Sequence, residues 1–370
     1  MQLLLVEDLT SGALALDVPD WLELADEGAA MLHAIGQDAR DVPGWRVEVL
    51  WSDRLGRFPV PGVTAHVTDS PERERRLFRE LAKRADRTFV IAPEFDRRLE
   101  RRRETVETAG GCFVGSTAAA LALCGDKFRL AGHLQERGIP TIPTRLFDPD
   151  RAEEDLRRVL PDGLIIKPRD GAGAMNTFHV RDAEALRRAA AVFDEAGAIP
   201  ILQPFLAGRA ISVAAIVARR GVELFPPAAQ HLQYGERLTY CGGSVGELHL
   251  SDILESVVRS ALDAVPGLRG YIGVDLIVPD RGGPVVVEIN PRLTTSYLGY
   301  RRLAGGNLAP RIMDPDGDHP PIAWRSGRVG FGTSAPETAR GGSGPVGETA
   351  GPGRNFCAGE RPSIPIDDFL

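Results

Sequence analysis

Cysteine is scarce in this chain: Cys112, Cys124, Cys241 and Cys357 are the only four among 370 residues, and no two stand at C-x-x-C spacing. That excludes the usual cysteine zinc site and the dithiol redox motif. The seven histidines are scattered and none belongs to an H-E-x-x-H helix, which removes the zinc-protease signature as well. Long apolar runs are missing. Stretches such as Leu3–Val6 and Val285–Val287 fall far short of the ~20 residues a membrane span requires, so no membrane partner is expected. The first apolar run is cut off by Glu7 and Asp8 and lacks the basic start of a signal peptide, so the expected location is cytoplasmic. A basic excess is lacking too. The net charge is −7, whereas dedicated nucleic-acid binders are more often basic. The arginine runs at 73–76 and 97–103 are interleaved with Glu72, Glu74, Glu80, Glu100 and Glu104. They are expected to be solvated helix faces rather than a nucleic-acid surface.

Lysine is the rarest charged residue. Only three of the 44 basic residues are lysines: Lys83, Lys127 and Lys167. Lys83 sits in a charged helix. Lys127 follows Gly125-Asp126, and Lys167 ends Ile165-Ile166-Lys167 just before Pro168. A compact ammonium fits between phosphate oxygens where a planar guanidinium is too broad. In a chain that otherwise chooses arginine, Lys127 and Lys167 are candidate phosphate ligands.

The length suggests two or three domains. Leu3–Val6, Arg46–Trp51 and Thr88–Ala92 read as strands. Pro71–Arg84 reads as a helix, and so does Trp21–Ile35, with Trp21, Leu24, Ala25, Leu32 and Ile35 apolar at helical spacing. This alternation predicts a parallel sheet covered on both faces, an α/β domain over 1–112. Thr117–Leu123 and Lys127–Arg137 are predicted helices. Strands follow at Gly163–Lys167, Thr177–Val180 and Ile199–Phe205, with a helix over Ala183–Phe193. Residues 113–205 form the second unit.

From Ala210 the pattern is strand-rich: Ile211–Ala218, Val222–Pro226, Tyr271–Val278 and Val285–Ile289, interrupted by a helix at Asp252–Val265. That predicts an α+β unit over 206–310, an antiparallel sheet with helices on one side and a last helix after Thr294. Residues 311–370 hold 11 Gly and 8 Pro, so they are expected to be a partly loose extension. One strand is expected within Ala323–Gly332, and a tail without core from Ser334.

The strongest chemical signal is Val285-Val286-Val287-Glu288-Ile289-Asn290-Pro291-Arg292. In a strand, Glu288 and Asn290 point to one face, and both offer oxygen to a hard cation such as Mg²⁺. Asp275 lies thirteen residues upstream, beyond the turn Pro279–Pro284. If the two strands pair antiparallel it joins the same site. A lone carboxylate among Val274, Leu276, Ile277 and Val278 is costly to bury without a partner or metal. Arg292 can reach a transferring phosphoryl group or a substrate carboxylate. The small-residue loop Asp170–Ala174, with Gly171 and Gly173, follows Lys167 and can donate backbone N–H groups to phosphate. Gln230–Gly243 is either a hairpin or a place where a substrate approaches the backbone. His231 reads as a packed or surface residue. Glu94 reads as a strand-end carboxylate or an amine contact.

Together, Asp126-Lys127, Ile166-Lys167-Pro168, Asp170–Ala174, Gln203-Pro204-Phe205, Asp275 and Glu288–Arg292 resemble the ATP-grasp superfamily over about residues 113–310. The resemblance implies an ATP-grasp fold behind an N-terminal Rossmann-like pre-ATP-grasp domain. It implies that Lys127 and Lys167 contact ATP phosphates, and that Gln203, Pro204, Phe205 and Leu206 form the hinge beside adenine. It also implies that Asp275, Glu288 and Asn290 hold two Mg²⁺, or Mn²⁺ in its place. Many members carry an acid at the position of Ala210. More narrowly, Val6-Glu7-Asp8, Glu27–Leu32, Ala92-Pro93-Glu94 and Asn290–Ser296 resemble the tyramine–glutamate ligase group, which acts in making methanofuran-type cofactors. The expectation is a carboxylate–amine ligase working through an acyl phosphate on small molecules, with Lys167 and Arg292 at the reacting groups. A homo-oligomer stays open. The alternatives are a phosphotransferase with a hydroxyl acceptor and a nucleotide-binding module without catalysis.

Overall fold

The computed structural model describes residues 1–14 and 21–332. The tail from Ser334 and the side chains of Trp21 and Leu24 lie outside the described residues.

The first layer runs β1 (Gln2–Glu7), α1 (Trp21–Arg40), β2 (Arg46–Ser52), β3 (Thr64–Thr68), α2 (Pro71–Arg84), β4 (Arg87–Ile91), α3 (Arg98–Thr108) and β5 (Phe113–Val114). Its sheet is parallel, in the order β3-β2-β1-β4-β5. The period of two along β1 explains the covering on both faces. Leu3 and Leu5 share a core with Leu32 and Ile35 of α1, while Leu4 and Val6 share another with Phe78 of α2 and Leu99 of α3. Helix α2 starts where Pro71 takes its first turn and the Ser70 side chain accepts from Arg73 N–H. Because β5 pairs with β4, this sheet continues past the expected end at residue 112.

The arginine runs are not wholly solvated. Arg102 is buried and holds Asp8 at 2.6 Å and Glu74 at 2.7 Å, both carboxylates being buried. Arg98, one helical turn away, pairs with the other oxygen of Asp8. The i, i+4 spacing puts both arginines on the face of α3 turned toward the loop after β1.

The second group is α4 (Ala118–Cys124), α5 (Lys127–Gln135), β6 (Arg145–Leu146), α6 (Ala152–Arg158), β7 (Leu164–Pro168), β8 (Phe178–Val180), α7 (Ala183–Ala196) and β9 (Pro200–Pro204). The third is β10 (Arg209–Ala218), β11 (Gly221–Leu224), β12 (Ala228–Gln233), β13 (Thr239–Val245), α8 (Asp252–Asp263), β14 (Gly270–Val278), β15 (Val285–Asn290), α9 (Tyr297–Leu303), α10 (Ala309–Met313) and β16 (Val329–Phe331). Strands β6-β9-β7-β8 form one antiparallel sheet, with α6 and α7 on one core. Strands β15-β14-β10-β12-β13-β16 form another, with β11 beside β10.

Two expected boundaries shift. Ala120, Cys124, Leu130 and Leu134 of α4 and α5 pack with Val258 and Leu262 of α8 and with Ile272 and Ile289. Residues 113–205 are therefore not one packing unit. The cut at 310/311 falls inside α10, whose Ile312 and Met313 are fully buried. Glycine and proline content pointed to looseness there, but these two side chains join the core shared by α1 and α9. Among the described residues no helix is long and apolar enough to cross a membrane.

Candidate active site

A cavity of about 240 Å³ lies where the three sheets meet. Every site residue expected from the sequence lines it: Lys127, Lys167, Gly171, Gly173, Gln203–Leu206, Asp275, Glu288, Asn290 and Arg292. Its walls also include residues of the first layer, from Glu7 to Pro93.

The carboxylates come together through strand register. β14 and β15 pair antiparallel with Asp275 directly opposite Glu288. Side chains opposite each other on a sheet share one face. Asn290, two residues beyond Glu288, donates its amide N–H to Asp275 at 2.9 Å and to Glu288 at 3.4 Å. Gln230 of β12 donates to the other oxygen of Asp275 at 3.0 Å. Burial, with the Glu288 charge opposite, raises the Asp275 carboxyl well above the usual range. Burial alone would raise Glu288 too, but Lys127 and Lys167 outweigh it and hold that group low.

The cations face these acids. Lys127 Nζ sits 3.1 Å from Glu288 Oε2 and donates to the Gly171 carbonyl at 2.7 Å. So the first residue of α5 pins the loop that follows β7. That loop holds Gly173 and also Ala174 and Asn176 at positive φ, a conformation with a cost for residues other than glycine. Lys167, at the end of β7, is pushed down to about 8 by burial, with Lys127 adding repulsion. Arg292 is tied to Glu94 of the first layer, Nε at 2.7 Å and Nη2 at 3.0 Å. Glu94 is thus the partner of the arginine, neither a free strand-end acid nor an open amine contact. Glu94 takes two of its five N–H groups and the Leu293 carbonyl a third, from Nη1 at 3.3 Å, which leaves one N–H on each terminal nitrogen for other acceptors.

At the other end, Gln203 is buried and its amide donates to Thr144 at 2.8 Å, so its side chain serves the sheet. Phe205 stacks on His179 with ring centroids 4.0 Å apart. The β12–β13 segment is the hairpin of the two readings, and it also faces the cavity. It reaches over to β8, where His179 N–H donates to Glu236 at 3.0 Å and Leu238 N–H to Thr177 at 2.8 Å. Its Leu232, Tyr234 and Tyr240 line the cavity. His231 lies 3.4 Å from Ser244 and does not line it. The sequence reading missed Gln230, Tyr240 and the pairing of Glu94. Only the weighed Gln230–Gly243 stretch held a signal for the first two.

Asp275, Glu288 and Asn290 fit a hard divalent cation. Two carboxyl groups face each other, burial and then the Glu288 charge raising that of Asp275, and all three side chains carry an oxygen donor. No cluster of three or more His, Cys, Asp or Glu side chains suited to a metal exists among the described residues, so a ligand's oxygens would complete the shell.

Glu7 lines the same cavity and is 2% exposed. Burial pushes its carboxyl from 4.5 up to about 7, with Asp8 next to it adding to the rise and Thr10 opposing it. Folded chain then binds this proton more tightly than unfolded chain, so stability is lost as pH rises from 4.5 through about 7. Glu7→Gln is expected to raise the melting temperature above pH 7, and the gain should vanish near pH 4. An equal shift at both pH values would show that the Glu7 charge carries no penalty.

Two family models match the chain: an ATP-grasp domain at residues 124–296 and a pre ATP-grasp 3 domain at residues 45–121. Tyramine–L-glutamate ligase from Methanocaldococcus fervens is 27% identical over 217 residues, covering 58% of this chain and 62% of that enzyme. D-alanine–D-alanine ligase from Azoarcus sp. is 27% identical over 240 residues, covering 62% of this chain and 76% of that enzyme. The matched stretch thus spans about six tenths of the tyramine–glutamate ligases' length. The fold is that of a crystallised ATP-grasp superfamily protein from Archaeoglobus fulgidus, with a TM-score of 0.63 at 23% identity, covering 89% of this chain and 91% of that one. The chain thus carries an ATP-grasp domain over residues 124–296 behind a pre-ATP-grasp domain over residues 45–121, and its fold is the ATP-grasp fold.

Proposed function

We propose that this protein is an ATP-dependent ligase that joins a carboxylate to an amine and releases ADP and phosphate. The observation that carries the reading is one cavity lined by an acid pair, two buried lysines and a tethered arginine, with the first layer closing its far side. Carboxylates are poor electrophiles. Attack of a carboxylate oxygen on the γ-phosphorus breaks the bond to ADP and gives an acyl phosphate, which the amine nitrogen then opens with loss of phosphate.

The chain's own residues position the reactants and offset charge. Lys127, Lys167 and the backbone at Gly171 and Gly173 take the phosphates. Gln203–Leu206 takes the adenine by its main chain. Arg292, fixed by Glu94, faces the transferring phosphoryl group. Asp275, Glu288 and Asn290 would hold Mg²⁺ or Mn²⁺, which would supply positive charge to phosphate oxygens.

For the substrates we propose glutamate and tyramine or a similar amine. The likeness to the Methanocaldococcus enzyme supports this. So does the hydroxyl-bearing run Thr294-Thr295-Ser296, which lines the cavity beside Arg292 and suits a second carboxylate. A screen of primary amines with glutamate, following phosphate release, tests it. Release is expected only when both substrates are present. Release with D-alanine but never with glutamate would leave the ligase class and remove the narrower assignment.

A further inference from the structure

Two neighbouring acids at the end of β1 have opposite surroundings. Asp8 is neutralised by Arg98 and Arg102. Glu7, equally buried, accepts from Thr10 N–H at 2.8 Å, and among the described residues no lysine, arginine or histidine pairs with it. A buried carboxylate without a cation is costly. The fold nevertheless makes room for it. A Cβ on Gly28 of α1 would stand 2.4 Å from the Glu7 carboxyl carbon and 2.6 Å from both oxygens. The helix therefore carries a glycine, a weak residue for its interior, at the point where this side chain passes.

We propose that Glu7 recognises the primary ammonium group of a substrate on the pre-ATP-grasp side of the cavity, a reading that rests on the ligase function above. The side chain lines the cavity, and Leu9, Met31 and Ile91 give that end a buried apolar wall. An ammonium supplies the charge the carboxylate lacks and forms a charge-assisted hydrogen bond. A metal ion would want several oxygen ligands, whereas the contact fixed here is an N–H donor from Thr10. The ammonium comes either from the α-amino group of an amino-acid substrate or from the amine acceptor.

The full chain carrying Glu7→Gln tests this, with Gly28→Ala as a second variant that keeps the charge but displaces the carboxylate. KM is measured for ATP, for glutamate in a hydroxamate assay with hydroxylamine as acceptor, and for tyramine. In both variants the KM for glutamate or for tyramine is expected to rise at least about tenfold while that for ATP stays put. A rise for glutamate in the hydroxamate assay assigns the site to the amino acid. A rise confined to tyramine assigns it to the acceptor. Unchanged KM for both, or a parallel rise for ATP, overturns the proposal. Failure of the ligase reading looks different, because the unmodified protein would then make no hydroxamate. Calorimetric titration of glutamate and of tyramine then decides. Binding lost in Glu7→Gln supports the site, and equal binding, or none to the unmodified protein, refutes it.

Discussion

Glu288→Gln is expected to cut ADP formation at least about a thousandfold, or ~4 kcal/mol in the barrier. Glu288 is the group on which the whole site turns. It faces Asp275 across the strand pair and Lys127 at 3.1 Å. Glutamine keeps the shape and removes the charge, so the proposed metal site loses an anionic ligand, and Lys127 is left with Glu94 and Lys167 with Asp275 as the acids they feel. Two effects on stability oppose each other. Breaking a buried pair costs about 3–5 kcal/mol, but the repulsion that raises Asp275 disappears as well. A modest fall in melting temperature should therefore accompany a near-complete loss of turnover. Wild-type turnover of this variant at limiting Mg²⁺ would remove Glu288 from the metal site.

Lys167→Arg is expected to lower ATP affinity or turnover at least about tenfold, ~1.4 kcal/mol. The change keeps the charge, so the loss would be one of shape. Lys167 is 7% exposed, near Lys127, with Glu288 and Asp275 as the acids it feels. A guanidinium there needs more room and more acceptors than an ammonium. Crowding in a packed wall adds to the cost. Unchanged kinetics in the arginine variant would reduce Lys167 to an incidental charge.

Much of the local structure was readable because it depends on neighbours in the chain. Helix α2 runs from Pro71 to Arg84, the bounds expected from the sequence, and β14 and β15 lie where the apolar runs place them. The acid pair was readable for the same reason: period-two geometry and a short turn leave few registers. What escaped depends on residues far apart. Glu94 and Arg292 are 198 positions apart, and Arg102 and Asp8 are 94 apart. No local pattern marks which acid will neutralise which arginine, so a buried network in α2 and α3 looked like solvated surface. The packing of α4 and α5 on the third sheet is of the same kind. Their apolar faces were visible, but not the surface that covers them. Glu7 stood in a quoted motif without a role, because its lack of a cation is a fact of three dimensions.

The most direct test of the ligase account is the fate of the carboxylate oxygen. Glutamate labelled with heavy oxygen in its carboxylates is incubated with the protein, Mg²⁺, ATP and tyramine, and the released phosphate is examined by mass spectrometry. An acyl phosphate intermediate predicts one labelled oxygen in each phosphate released, and an amide that has lost one. Unlabelled phosphate, or a phosphate ester formed on a hydroxyl acceptor with the glutamate untouched, would contradict it.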